Sequence, residues 1–279
     1  FDTTHILVGY DKNEKDFKRK VEIYKEEMER YHKLYTIYEN FDGINNIKTI
    51  NDNAGIKPVK VNVEIIDLLE KSIKWKNETK SKVDIFGGEI ISLWNNRKED
   101  ELPLKEELEN AKKCSVIENV EIDRQNSTVF LKKKCIKIDV GAVAKGYAVE
   151  KAAEKMEKEG ISSFMISAGG NIRIIGKRPV KNKNVKELIK CEIEFCVGIT
   201  LPIYYDKELD KNNPYNKKEG YLAKIAATDS SVVTTGNYQR YFVKDRQLYG
   251  HIVDLDKLKP VNNFASVTDV TKASGFTDY

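Results

Sequence analysis

The chain has 279 residues, 40% of them hydrophobic and 33% charged, with a formal net charge of +4. That content can bury a large core, while nearly balanced charge, scattered lysines and no basic–aromatic signature argue against nucleic acid as a partner. No stretch approaches the about 18 consecutive apolar residues of a membrane span, and only three histidines with no CxxC spacing argue against zinc.

Phe1 to Leu7 reads as a threonine-rich opening strand. Phe17, Val21, Tyr24, Met28, Tyr31, Leu34, Tyr35 and Tyr38 then recur at a three-to-four step through charged sequence, which predicts an amphipathic helix of several turns. A second helix is predicted over about Val63 to Trp75, so the first lobe, to about residue 130, is largely helical. Free thiols are the default reading of Cys114, Cys135, Cys191 and Cys196, with Cys191 and Cys196 on one short strand.

Lys137 to Arg178 carries the most information. Ile136, Ile138 and Val140 alternate with polar residues, the period of a strand, which breaks at Gly141. Ala144, Ala148, Ala152 and Met156 then mark one face of a helix ending at Gly160, a residue suited to a left-handed C-cap. The helix start near Ala142 to Gly146 offers unpaired amides to a phosphate oxygen, with Lys145 as a mobile cation and Asp139 as a hydrogen-bond acceptor at the strand end. A second turn, Gly169-Gly170-Asn171, permits close backbone approach. Neither a P-loop nor a GxGxxG spacing occurs, and a strand–loop–helix with a glycine is usually plain packing. Val180 to Lys190 is lysine-rich and reads as an exposed loop or insertion.

Ser231 to Tyr249 reads as a strand pair with a hydroxyl-rich rim, in which Thr234 and Thr235 precede Gly236 and Arg240 sits among Tyr238, Tyr241 and Phe242. Such a set suits an anionic or heteroaromatic ligand, and also an ordinary hairpin. His251-Ile252-Val253-Asp254 follows at once.

Taken together, these segments resemble the FAD:protein FMN transferase (ApbE-like) family. The likeness rests on Asp139, Gly141, Ala142, Lys145, Gly146, Tyr147 and Ala148; on Gly169 to Asn171; on Thr234 to Tyr241; and on His251 to Asp254, four motifs in the family's order. Weaker landmarks at Ile44 to Gly55 and Val83 to Trp94 extend it over nearly the whole chain. Three departures stand out: Leu255 to Pro260 replaces the family's Pro-x-Thr-Gly-x-Pro turn, Phe86 replaces a threonine, and the metal-binding Asp-Ala-x-Ser/Asp-Thr motif would begin at Asp278, which places its threonine beyond Tyr279.

The resemblance implies an α+β fold of mixed, mostly antiparallel sheets with packed helices, a single flavin transferase domain whose ligand-binding part covers about 131–279. It implies FAD as substrate, Mg²⁺ held by the Ala142 carbonyl and Asp278, and transfer of FMN to Ser or Thr of an acceptor protein with release of AMP. His251 is expected to be catalytic. Phe1, Phe41, Leu93, Trp94, Asn95, Asp139, Lys145, Gly169, Gly170, Thr235, Arg240 and Val253 are expected to contact FAD, with core packing the competing reading of Trp94. Family members are commonly exported lipoproteins, an outer-face setting that leaves a disulfide open. Two other functions fit the residues: an FAD pyrophosphatase yielding FMN and AMP, and a non-catalytic FAD-binding protein. No likely acceptor motif of the family type occurs within the chain, so modification would fall on a separate protein. Oligomeric state is not legible.

Overall fold

The computed structural model describes residues 1, 3–80, 82–95, 101–179, 194–202 and 220–277. The elements run β1 (His5–Gly9), α1 (Glu14–Tyr35), α2 (Ile47–Asp52), β2 (Val59–Lys60), α3 (Val63–Thr79), α4 (Gly88–Asn95), α5 (Lys105–Cys114), β3 (Val120–Asp123), β4 (Thr128–Leu131) and α6 (Ala144–Lys158). There follow β5 (Ser163–Ala168), β6 (Asn171–Gly176), β7 (Phe195–Thr200), β8 (Tyr221–Ala227), β9 (Ser231–Gly236), β10 (Tyr241–Lys244), β11 (Gln247–Gly250), β12 (Val253–Asp254), β13 (Lys259–Pro260), β14 (Ser266–Thr271) and α7 (Ser274–Thr277). They form a mixed α+β protein with antiparallel sheets, in two compact units.

The first unit comprises Phe1–Glu29, Lys145–Gln239 and Phe264–Asp278. Its frame is a five-stranded sheet in the order β1-β5-β6-β9-β14, with every described pairing antiparallel. Alternation decides which residues face which way. On one face Phe164 of β5 stacks on Phe17 of α1 (5.7 Å between ring centroids), and Arg173 of β6 pairs with Glu150 and Glu157 of α6. On the other face Ile174 and Val232 pack with Phe195, Val197, Ile199 and Ala227 of the β7–β8 hairpin. The predicted α6 face is correct, with Ala144, Ala148, Ala152 and Met156 all buried and Gly160 at φ +78°.

The second unit comprises Arg30–Ala144 and Arg240–Asn263. Helices α2 to α5 accompany the sheet β2-β4-β3 and the two-stranded β10–β11 and β12–β13 pairs. Asn46, fully buried, closes a capping box on α2 with Thr49 and donates its amide to the carbonyls of Lys33 and Glu39. Isoleucines and leucines of α3 (Ile65, Ile66, Leu68, Leu69) lie at zero exposure.

Three expectations need correction. Ile136, Ile138 and Val140 are buried as their alternation requires, yet they lie outside any ladder. The segment is extended and meets one isolated parallel bridge, Gly87 to Lys137. Both backbone groups of Ile138 are met by a side chain: Asn51 Nδ2 donates to Ile138 O (2.9 Å) and Ile138 N donates to Asn51 Oδ1 (2.8 Å). Second, the hairpin read over Ser231 to Tyr249 is split, since β9 belongs to the five-stranded sheet and only β10 and β11 pair with each other. Third, Cys114 and Cys135 form a disulfide, and Cys196 is disulfide-bonded as well. Cys191 and the Val180 to Lys190 segment lie outside the described residues. The boundaries of α1 also shift: Tyr38 follows the helix and is 82% exposed.

Asn51→Ala removes both partners of Ile138 and leaves a donor and an acceptor unmet in a buried extended segment. We expect a loss of about 2–6 kcal/mol, at about 1–3 kcal/mol per unmet group, read as a lowered urea midpoint at unchanged m-value.

Candidate functional site

In the first unit the structure brings three separated motifs together. Gly169 and Gly170 turn β5 into β6 with φ of +52° and +85°, a conformation that side chains disfavour. A Cβ on Gly169 would collide with Thr3 Oγ1, and one on Gly170 would lie 2.9 Å from Thr234 O. Thr234 N donates to Gly170 O (2.9 Å), and Thr234 Oγ1 shares a hydrogen bond with Thr268 Oγ1 (2.8 Å). The glycine turn is thus wedged between the N-terminal strand and the Thr-Thr-Gly strand. Thr235 is exposed beside it and Phe1 is half-buried, its carbonyl accepting from Thr3 N (2.9 Å).

Lys145 lies in the first turn of α6. His5 opens β1 opposite Ala168, and its Nδ1 meets Tyr24 Oη at 2.7 Å. Burial lowers the pKa of His5 first, with Lys145 adding repulsion, so this ring is neutral at physiological pH.

In the second unit the extended segment carries Asp139. Asp139 N donates to Ile85 O (2.8 Å), and the carboxylate accepts from Gly141 N (2.7 Å). Desolvation outweighs that hydrogen bond and raises the Asp139 pKa above the usual carboxylate value. The next turn is tight: Val143 N and Ala144 N both donate to Val140 O (3.0 and 2.7 Å), while Ala142 stays exposed. Two glycines support the segment from α4. A Cβ on Gly88 would come within 2.8 Å of Lys137 O, and one on Gly87 within 2.5 Å of Leu255. Close packing at Gly88 therefore holds the start of α4 against the backbone of Lys137 to Asp139, and Gly87 makes room for Leu255, which follows the histidine box.

His251 is exposed after β11, and its Nδ1 lies 3.2 Å from Arg240 O. A carbonyl only accepts, so the neutral ring carries its proton on Nδ1 and presents Nε2 as a base. Crowding by surrounding protein lowers the His251 pKa more than the Arg240 carbonyl raises it. Asp254 Oδ1 accepts from Asp256 N (2.9 Å) and Lys257 N (3.0 Å), which lowers its pKa and organises the Leu255 to Pro260 turn, with Leu258 at φ +57°.

Trp94 donates Nε1–H to Leu258 O (3.2 Å) and stacks on Tyr249 (5.8 Å, 21°), which stacks on Phe242 (5.0 Å, 11°). With Leu93 and Val253 it packs on Ile90, Leu108 and Ala111. Asn95, at the end of α4, and Arg240 are exposed. Phe41 stands apart from these, edge-on to His32 (6.2 Å, 72°). Asp278 lies outside the described residues.

Sequence reading passed over the roles of Asn51, Tyr249 and the Gly87-Gly88 pair. Asn51 sits in a helix without a distinguishing pattern, whereas two adjacent glycines opening a helix were a visible sign of close backbone approach. Among the described residues no group of three or more His, Cys, Asp and Glu could hold a metal ion, and no helix is long and apolar enough to cross a membrane.

Residues 3–278 match the ApbE family, and the chain belongs to it. It is 23% identical over 231 residues to the FAD:protein FMN transferase of Vibrio cholerae, covering 81% of this chain and 62% of that protein. It is 27% identical over 237 residues to that of Treponema pallidum, covering 82% of this chain and 60% of that protein. The chain thus spans about three fifths of these relatives' length. The ApbE protein of Thermotoga maritima superposes with a TM-score of 0.79 at 25% identity, over 99% of this chain and 81% of that one. A flavin transferase ApbE from Vibrio cholerae shares the fold, with a TM-score of 0.70 at 19% identity over 99% of this chain and 84% of that one.

Gly169→Ala puts a methyl group into Thr3 at a left-handed position. Destabilisation of about 1–3 kcal/mol by thermal or urea unfolding is expected, with weakened protection of the Thr3 and Thr4 amides in hydrogen exchange.

Proposed function

We propose that this chain is an FAD:protein FMN transferase. The observation that supports it most directly is the neutral, Nδ1-protonated His251, a base poised to take a hydroxyl proton, in a chain that carries the family's motifs in order. A single flavin transferase domain spans residues 1–279 in this reading.

A Ser or Thr hydroxyl of the acceptor protein attacks the FMN-side phosphorus of FAD. The bond from that phosphorus to the bridging oxygen breaks, AMP leaves with the oxygen, and the hydroxyl proton passes to His251 Nε2. FMN stays on the acceptor through a phosphoester. Asp139, Lys145 and Arg240 are assigned to FAD; Lys145 and Arg240 oppose phosphate charge, and Asp139 accepts hydrogen bonds from a hydroxyl or ring N–H. Phe1, Phe41, Leu93, Trp94, Asn95, Thr235 and Val253, with the backbone of Gly169 and Gly170, border the nucleotide. Trp94 already spends its ring on Tyr249 and its N–H on Leu258, so its part is to fix the wall.

Mg²⁺ would be held by the Ala142 carbonyl and Asp278, an all-oxygen set that suits a hard cation, and would neutralise charge on the phosphates. Ala142 is exposed in a tight turn, as a carbonyl ligand requires. The full-length protein is assigned to the outer face of the cytoplasmic membrane as a lipoprotein. Disulfide bonding at Cys114, Cys135 and Cys196 suits an oxidising compartment.

The test is incubation with FAD and Mg²⁺, with and without an acceptor bearing the family's Ser/Thr motif, following AMP and covalent flavin fluorescence on a denaturing gel. AMP with a fluorescent acceptor supports the transferase. AMP without labelling marks the pyrophosphatase, and intact FAD overturns both. His251→Ala should slow transfer by about 10²–10⁴-fold with FAD affinity retained. Because the His251 pKa lies below the usual value of about 6.5, the base form is present at pH 7, and the rate should fall as pH drops through a value below 6.5. A pH-independent rate between 5 and 8 would remove His251 from the step.

A further inference from the structure

The turn between β12 and β13 is where the chain departs from the family pattern, and it sets a lysine on each side of a tied residue. Lys257 stands where that pattern has its threonine, and Leu258, in the glycine's place, holds φ +57°. Asp254 Oδ1 accepts from Asp256 N and Lys257 N, and Leu258 O accepts from Trp94 Nε1–H (3.2 Å). Lys257 and Lys259, both exposed, are thus carried on a held backbone.

Together with Gln247, Tyr249, Pro260 and Asn262 they line a cleft of about 330 Å³, and no Asp or Glu lines it. Lys257 Nζ lies 3.7 Å from Asp254 Oδ2, while Lys259 has no carboxylate partner among the described residues. The walls are fixed: Tyr249 stacks on Trp94 and on Phe242 and donates Oη–H to Gln247 Oε1 (3.1 Å), and Asn262 Nδ2 donates to Leu248 O (2.5 Å). The volume is at the low end of the about 300–1,000 Å³ of ligand sites, room for a side chain with its flanking backbone and not for a dinucleotide. The cleft also lies beside the histidine. β11 leads from Gln247 through Tyr249 into His251, two residues or about 7 Å further on. Pro260 pairs with Val253, and Val261 N donates to Ile252 O (2.9 Å). An extended peptide whose hydroxyl reaches His251 therefore passes the cleft within about three residues.

We propose that this cleft is an acceptor subsite, in which Lys257 and Lys259 receive the carboxylate of an Asp or Glu within about three residues of the Ser or Thr to be modified. The inference deepens the transferase reading and rests on it. That reading gives the phosphates of FAD to Lys145 and Arg240, which leaves the cleft's positive charge to the incoming protein. Complementary charge at an exposed rim selects the partner more than it strengthens binding. The two lysines therefore decide which hydroxyls are modified, and leave the chemistry at phosphorus to His251.

The test pairs wild type with the double variant Lys257→Gln/Lys259→Gln, and an acceptor peptide carrying an aspartate three residues from its Ser or Thr with the same peptide carrying asparagine there. Transfer kinetics, polarisation of the labelled peptides, FAD binding by flavin fluorescence and Tm are measured for each. For the aspartate peptide the double variant should raise KM and weaken binding by about tenfold, with kcat, FAD affinity and Tm held near wild type. For the asparagine peptide wild type and variant should be alike. Lys257→Glu/Lys259→Glu should instead prefer a peptide with lysine at that position. Equal KM for both peptides in the wild type, or an unchanged KM in the double variant, overturns the subsite and leaves the transferase reading standing. Weakened FAD binding at unchanged peptide binding assigns the cleft to the phosphates of FAD and also overturns it. So does equal loss for both peptides with a lowered Tm, which shows a structural role only. Absence of transfer to either peptide and to the acceptor protein by the wild type overturns the transferase reading, and the subsite with it.

Discussion

The segment Ile136–Val140 has to be extended, buried and almost without strand neighbours, and much of the second unit is arranged around that constraint. Buried backbone donors and acceptors that lack partners each cost on the order of 1–3 kcal/mol. Here they are met from three directions: the bridge with Gly87, the carbonyl of Ile85 and the side-chain amide of Asn51, which imitates a strand edge. The isoleucines then anchor the chain in the core while Asp139, between Ile138 and Val140, remains half-buried. A regular sheet neighbour would have occupied the flank along which Gly87 and Gly88 bring α4 close.

The first unit solves the complementary problem with regular hydrogen bonding. Its five-stranded sheet is continuous, and departures from regularity are gathered at the β5–β6 turn, where two successive left-handed glycines let Thr3 and the Thr234 carbonyl approach. The first unit uses glycine, and the second uses side-chain mimicry together with the Gly87–Gly88 pair, to bring backbone amides and polar side chains of distant sequence segments into fixed registers.

Much of this was legible in the sequence. The alternation of Ile136, Ile138 and Val140 correctly reported burial, and the four-residue step of α6 correctly reported its inward face. Period-two burial carries no information about who supplies the hydrogen bonds, which is why a ladder was expected where Asn51 stands instead. The β9–β10 pairing failed for a related reason: β propensity marks Ser231 to Lys244 as strand-forming but does not say that Asn237 to Arg240 carries the chain out of one sheet. The meeting of Arg173, Glu150 and Ser274 was invisible because it joins sequence separations of 23 and 124 residues that no local pattern marks. The cysteines had no diagnostic spacing, so their pairing could be read only from the fold.

That pairing has a consequence for the chain before it folds. Cys114 and Cys135 are 21 residues apart and enclose β3 and β4, while the residue after Cys135 begins the extended segment. A cross-link over a loop of that size withdraws about 3 kcal/mol of conformational freedom from the denatured ensemble. Thiol–disulfide exchange in the surroundings therefore sets how many disordered states compete with the native one, and the segment that carries Asp139 starts its search already tethered to the end of α5.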